Sequence, residues 1–204
     1  MESPVNDKLL VSFTAMRQVL AIIAITLGLA AVAVAQNRQV ANISAVAAAG
    51  AVSSNQYTNS YFKMSVDAPN ATLQLNPVLD VKGQYARLLQ VDSAHLSWEE
   101  TYAFAVTADS LTINPQVKSA AQYVRSIRHK LEKDGLPTVR QEFPITIAGA
   151  QFTGAVLEQQ AQGQKYYRGI FSSFRNGYVL TFDVEAATPE RLNKLVTGAV
   201  KFLN

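Results

Sequence analysis

The sequence predicts an α+β domain: a mainly antiparallel sheet flanked by helices. Three observations predict it. Two helical apolar stripes, one mid-chain and one at the end, are separated by a run of strand-like segments. Those segments follow one another across connections too short to hold crossover helices. The dipeptide Asn176-Gly177 stands between two alternating apolar runs, the strongest hairpin signal in the chain.

Taken in order, residues 60–66 read as a strand carrying Tyr61, Phe62, Met64 and Val66, ended by a turn around Pro69. Residues 85–91 form a short apolar run. Residues 98–106 read as a longer strand whose inner face holds Trp98, Tyr102, Phe104 and Val106, with Glu100 on that face near the strand end. Asn114 then reads as an N-cap with Pro115 at the first helical position. Val117, Ala120, Ala121, Val124, Ile127 and Leu131 make one stripe, and Gly135 with Pro137 ends the helix.

A meander follows. Residues 144–147 turn at Ala148-Gly149 into residues 151–159, which reverse at Gln162-Gly163 into residues 165–174. Those pair with residues 178–186, where Tyr178, Leu180, Phe182 and Val184 face inward while Thr181, Asp183 and Glu185 face out. Thr188-Pro189 caps a last helix with the stripe Leu192, Leu195, Val196, Ala199 and Leu203. No internal repeat interrupts this order.

The N-terminal third has a different texture. Residues 19–35 carry no charge, Arg17 stands directly before them, and Ala33-Val34-Ala35 supplies a small-residue site. This is the three-part pattern of a secretory signal, with cleavage expected between Ala35 and Gln36. Glu2 and Asp7 dilute the positive end, and a start at Met16 would give a more compact signal. A retained membrane anchor is the alternative, but the run is shorter than the ~20 strongly apolar residues a span needs. Residues 36–56, rich in Ala, Val, Ser and Asn with Arg38 the sole charge, read as a spacer, and the domain is expected to begin near Tyr57 and run to Asn204. The expected address is the periplasm or the cell exterior.

Composition narrows the chemistry. The 204 residues include no cysteine, which excludes thiol catalysis, a lipidated cysteine anchor, thiolate zinc sites and disulfides. A net charge of +3 falls short of the clustered excess that tracks a phosphate backbone, so no nucleic-acid partner is expected. Serine-elbow and phosphate-loop motifs are missing, and no cofactor is implied.

The remaining candidates are surfaces and scattered acids. Arg125, Arg128, His129, Lys130 and Lys133, with Lys118, make the first helix basic, either as a docking face for an acidic or envelope-surface partner or as a solvated face complementing the helix dipole. Tyr166, Tyr167 and Arg168 form an aromatic and basic patch that reads either as a partner surface or as sheet packing. Asp183 and Glu185 share one strand face, as paired acid–base carboxylates do and as ordinary polar strand faces do. His95 has Asp92, Glu99 and Glu100 nearby in sequence, a carboxylate–imidazole group read chiefly as a polar loop. Asn42 and Asn70 begin glycosylation triplets that a bacterial source would make chance matches. The function expected is therefore an exported, non-enzymatic binding or accessory domain. An exported hydrolase with dispersed Asp, Glu and His groups, or a small-ligand binder with a cavity between sheet and helix, are the alternatives.

The aromatic strand ending in a proline turn (YFKMSVDAP), the run ARLLQV, the mid-chain helix, the hairpin SSFRNGYVLTF and the closing helix ending in Phe-Leu resemble the PsbP-like and Mog1-like domains over residues 57–204. That resemblance implies an α/β/α sandwich on an antiparallel sheet and a binding or accessory module more often than an enzyme. It carries no functional residue over.

Overall fold

In the computed structural model the described residues are 43–68, 71–75, 78–79, 85–93, 97, 100–112, 115–161 and 163–203. The expected signal segment, its cleavage site Ala35/Gln36 and Met16 lie outside them, as do Trp98, Asn42 and Asn70. No helix among the described residues is long and apolar enough to cross a membrane.

The elements in chain order are α1 (Ile43–Ala48), β1 (Gly50–Ser53), β2 (Gln56–Asn59), β3 (Met64–Asp67), β4 (Thr72–Gln74), β5 (Val78–Leu79), β6 (Tyr85–Asp92), β7 (Tyr102–Ser110), α2 (Ala120–Lys133), β8 (Thr138–Ile147), β9 (Ala150–Ala161), β10 (Gln164–Arg175), β11 (Tyr178–Ala186), α3 (Pro189–Ala199) and β12 (Val200–Phe202). The main sheet runs β4-β6-β7-β11-β10-β9-β8, with β5 also on β6, and a four-stranded sheet runs β1-β2-β3-β12. Every pairing is antiparallel, which bears out the α+β reading.

Turn chemistry sets the long hairpins. Asn176 and Gly177 take φ of 50° and 86°, and Ala148 and Gly149 take 47° and 80°. Two successive left-handed residues match the twist of the flanking strands. The β10–β11 register then pairs Arg168 with Glu185, Ile170 with Asp183 and Phe171 with Phe182.

Both faces of the main sheet are covered. On one, Phe104, Val106, Phe171, Leu180, Phe182 and Val184 form the principal core with Leu192 and Val196 of α3. Tyr57, Met64, Val66 and Val200 of the small sheet and Ile43 and Val46 of α1 complete it. On the other, Leu131 of α2 packs on Leu157 and Ile170, with Ile127 and Leu136 beside them. The first face is closed by a helix and a second sheet together, not by helices alone.

Several boundaries differ from the sequence reading. The folded body begins before Tyr57: Ile43 and Val46, one turn apart, bury 98% or more of their surface, and buried Asn59 donates to the Val46 carbonyl at 3.0 Å. A six-residue helix is too short to show periodicity, which is why these residues read as spacer. Residues 60–63 are a turn between β2 and β3 and not the start of one strand. α2 starts at Ala120 and not at Pro115, because Ser119 accepts from the Gln122 backbone N–H at 3.1 Å while the Gln122 side chain accepts from the Lys118 N–H at 2.9 Å. Pro115 lies in a turn, and Asn114 is outside the described residues. Leu203 leaves the last helix stripe and is 54% exposed, since the chain turns extended at Val200 to pair β12 with β3. Thr188 caps α3 as expected, accepting from the Arg191 N–H at 3.2 Å.

One close approach governs the centre of the core. Phe171 lies between Gly154 on β9 and Gly169 on its own strand, where an added Cβ would stand 2.7 Å and 2.6 Å from its ring atoms. Gly154→Ala or Gly169→Ala is expected to cost about 1–3 kcal/mol in urea unfolding. Combining either with Phe171→Leu should recover much of that loss, giving a clear coupling energy in a double-mutant cycle.

Candidate functional site

The main sheet's second face is unusual in its side chains. Period-two alternation turns Arg168 and Ile170 of β10, Thr181, Asp183 and Glu185 of β11, Ala105, Thr107 and Asp109 of β7 and Tyr85 and Arg87 of β6 to the same side, as the registers require. α2 packs over β8, β9 and β10. Between α2 and the strands beyond it lies a cleft of about 280 Å³, lined by these sheet residues other than Glu185 and by Tyr123, Ser126, Ile127, Lys130 and Leu131 of α2.

At its inner wall Arg168 is wholly buried. Its Nε donates to Asp183 Oδ1 at 2.9 Å and its Nη2 to Asp183 Oδ2 at 2.5 Å, a two-point clamp. Glu185 Oε1 lies 3.9 Å from the same Nε, and Arg168 Nη1 has no partner. Burial opposes the guanidinium charge, yet Asp183 and Glu185 outweigh it and hold Arg168 above its ordinary value. Burial also pushes the Glu185 carboxyl up, against the pull of Arg168. Farther along, Tyr123 donates to Asp109 Oδ2 at 2.5 Å. Burial first, then Asp109, drives that phenol well above its usual range. Burial lifts Tyr85 to about 12 despite neighbouring Arg87.

Chemically, these pairs are set and occupied. Both Asp183 oxygens are committed to Arg168, so the carboxylate acts as a fixed dipole and is ill placed to take a proton from a substrate. The arrangement suits recognition: an apolar cleft with a few oriented polar groups at its wall.

The expected surface residues are redistributed. Tyr166 and Arg168 point to the α2 side of the sheet while Tyr167 packs against the principal core, so the triplet is split by strand alternation and forms no common patch. Arg168 is interior and not a partner surface. Thr181 and Glu185 do not face solvent: both are 3% exposed, Thr181 against the Ser172 hydroxyl and Glu185 beside Arg168. On α2, Arg128 is buried and bonds Glu142 Oε1 at 2.7 Å and Glu132 Oε1 at 2.6 Å, which removes it from any docking face. Arg125 is exposed, 3.4 Å from Glu142, and His129 Nδ1 lies 2.9 Å from Glu132. Lys130 is half-buried at the cleft and Lys133 is exposed. Asp92 ends β6 half-buried and Glu100 is exposed, its carboxylate accepting from the Ser97 hydroxyl. His95 and Glu99 lie outside the described residues, among which no group of three or more His, Asp or Glu is placed to hold a metal ion.

Asp109 and Tyr123 were not singled out by sequence. Arg168 facing the two carboxylates was legible in principle: a two-residue turn at Asn176-Gly177 fixes Glu185 opposite Arg168.

No protein-family pattern matches the chain, and no curated protein matches it. Among solved structures, one from Bacteroides thetaiotaomicron VPI-5482 is similar at 8% identity and TM-score 0.44, over 74% of this chain and 48% of that one. LpqN of Mycobacterium tuberculosis, involved in cell envelope biogenesis, is similar at 11% identity and TM-score 0.37, over 65% of this chain and 84% of that one. This chain spans about half the length of the first.

Two outcomes are expected from the charged groups. Arg168→Met leaves Asp183 and Glu185 buried without their cation and should cost about 3–5 kcal/mol, whereas Arg168→Met with Asp183→Leu and Glu185→Leu should restore most of it, read by denaturant midpoints. Glu132 is held down at about 2 by bonds from Thr138, His129 and Arg128. A lowered carboxyl stabilises the fold above its unfolded value, so this contribution should disappear as pH falls from about 4.5 toward 2. Glu132→Gln should flatten that limb of an acid-unfolding curve.

Proposed function

We propose that the chain is an exported accessory domain that binds a small ligand in the cleft between α2 and the main sheet, by recognition and without turnover. The observation that carries this reading is the cleft itself. A concavity between sheet and helix is what the ligand-binding alternative predicts, and it stands where oriented tyrosines and ion pairs meet apolar walls. The locked Arg168–Asp183 pair favours binding over acid–base chemistry.

Export rests on the charge-free run of residues 19–35 behind Arg17. The PsbP-like and Mog1-like resemblance is supported by the order of strands, helix, meander and helix, while the second sheet beside α3 departs from its α/β/α layering. An envelope-surface or protein partner would meet the exposed side of α2 at Arg125, His129 and Lys133.

The test is a thermal-shift screen with metabolite-sized compounds on the chain and on Thr107→Trp, which places an indole in the cleft. A ligand at a hundredfold its Kd should stabilise the chain by about 2.7 kcal/mol and leave Thr107→Trp unmoved. Equal shifts in both proteins would place binding elsewhere. Hydrolysis of chromogenic esters or glycosides that Asp183→Asn abolishes would replace binding with catalysis.

A further inference from the structure

A second concavity lies on the opposite face of the main sheet, independent of the α2 cleft. It encloses about 400 Å³ between α3, the end of β3 and strands β6 and β7. Its floor is apolar: Val66, Val91, Phe104, Leu195 and Ala199, with the Tyr102 ring beside them. Its mouth is charged, with Arg191 and Lys194 from successive turns of α3 and Asp67 and Glu100 across from them.

The charges do not cancel at the mouth. Asp67 is already neutralised from outside the concavity, accepting from Lys201 Nζ at 2.5 Å and from Gln56 Nε2 at 2.6 Å. Glu100 Oε2 accepts from the Ser97 hydroxyl at 3.1 Å. Arg191 spends its Nη2 on a neutral acceptor, the Glu100 carbonyl at 2.5 Å, and its Nε has no partner. Among the described residues two cations stand against Glu100 alone, so the described part of the rim carries one positive charge above an apolar floor.

Gly198 adds a separate pointer. It lies within α3 and lines the concavity, and a Cβ built on it would meet nothing within 4 Å. Glycine is among the poorest helix formers, and no steric contact requires it there. Gly198 is exposed in the last turn of α3, so a large side chain there would stand over the open side of the concavity.

We infer that this concavity is a binding site for a single-chain amphiphile with an anionic head, the chain lying along Val66, Phe104 and Leu195 and the carboxylate or phosphate meeting Arg191 and Lys194. Burial of the chain supplies the affinity, and the rim supplies the choice of head. An apolar chain alone would leave Arg191 Nε without a partner, and a cationic head would meet two like charges.

Calorimetric titration of the full chain, below each micellar limit, distinguishes these. Dodecanoate and dodecyl phosphate should bind about three- to tenfold tighter than dodecyltrimethylammonium, a preference that R191Q/K194Q should remove. Acetate and inorganic phosphate should not bind measurably. Gly198→Phe should abolish dodecanoate binding with the thermal midpoint kept or raised, because the ring enters open space and glycine leaves the helix. Equal affinity for the three heads, acetate binding as well as dodecanoate, or full dodecanoate binding by a folded Gly198→Phe protein would each overturn the assignment. None of these outcomes bears on Thr107→Trp and the α2 cleft.

Discussion

The register of the β10–β11 hairpin is the constraint on which the rest of the structure depends. On these central strands the aromatic rings of Phe171, Tyr178 and Phe182 face the principal core, and the charged Arg168, Asp183 and Glu185 the α2 side. A slip of one residue would carry Phe171, Leu180 and Phe182 under α2 and drive Arg168, Asp183 and Glu185 into the aromatic core. The turn at Asn176-Gly177 blocks that slip locally, and the Phe171 ring seated between two glycines blocks it in the middle of the sheet.

A buried ionic group is a poor way to stabilise a domain, since desolvating three charges offsets much of their attraction. Here the cost is limited by geometry. Arg168 satisfies Asp183 at two points while Glu185 lies within 3.9 Å, so the charges are gathered around one guanidinium and not scattered. A hydrophobic trio at these positions would hold the sheet at least as well. What the charges add is direction, a fixed polar wall where α2 leaves the sheet uncovered.

How much of this the sequence revealed depends on how local the signal was. The hairpin turn, β11 and the cap of α3 follow from neighbouring residues and emerge within a residue of the structure. α1 and β12 do not, because Ile43–Ala48 and Val200–Phe202 owe their conformation to partners distant in the chain, the buried Asn59 and strand β3. The outward assignment of Thr181 and Glu185 failed for a related reason. Alternation shows that a strand has two faces, but only the neighbours brought in by the fold, Ser172 beside Thr181 and Arg168 beside Glu185, decide that the polar one is also buried. Asp109 and Tyr123 meet across 14 residues of sequence, with no motif to announce them.

Both concavities border small side chains. Beyond α2, Ala105 stands level with Asp183 and lines the gap, while the helix rests on Leu157 and Ile170 of β9 and β10. On the opposite face α3 carries Gly198 and Ala199 where it passes Phe104 and Val66, and they border the second gap. Interiors normally close such spaces, because a void forfeits dispersion contacts on every side. Each gap here is bordered by polar groups held in place by partners of their own, the Arg168–Asp183 clamp on one face and the Asp67–Lys201 pair on the other. Polar groups committed to partners of their own are poorly suited to fill an apolar gap, so both small-residue strips stay open beside them.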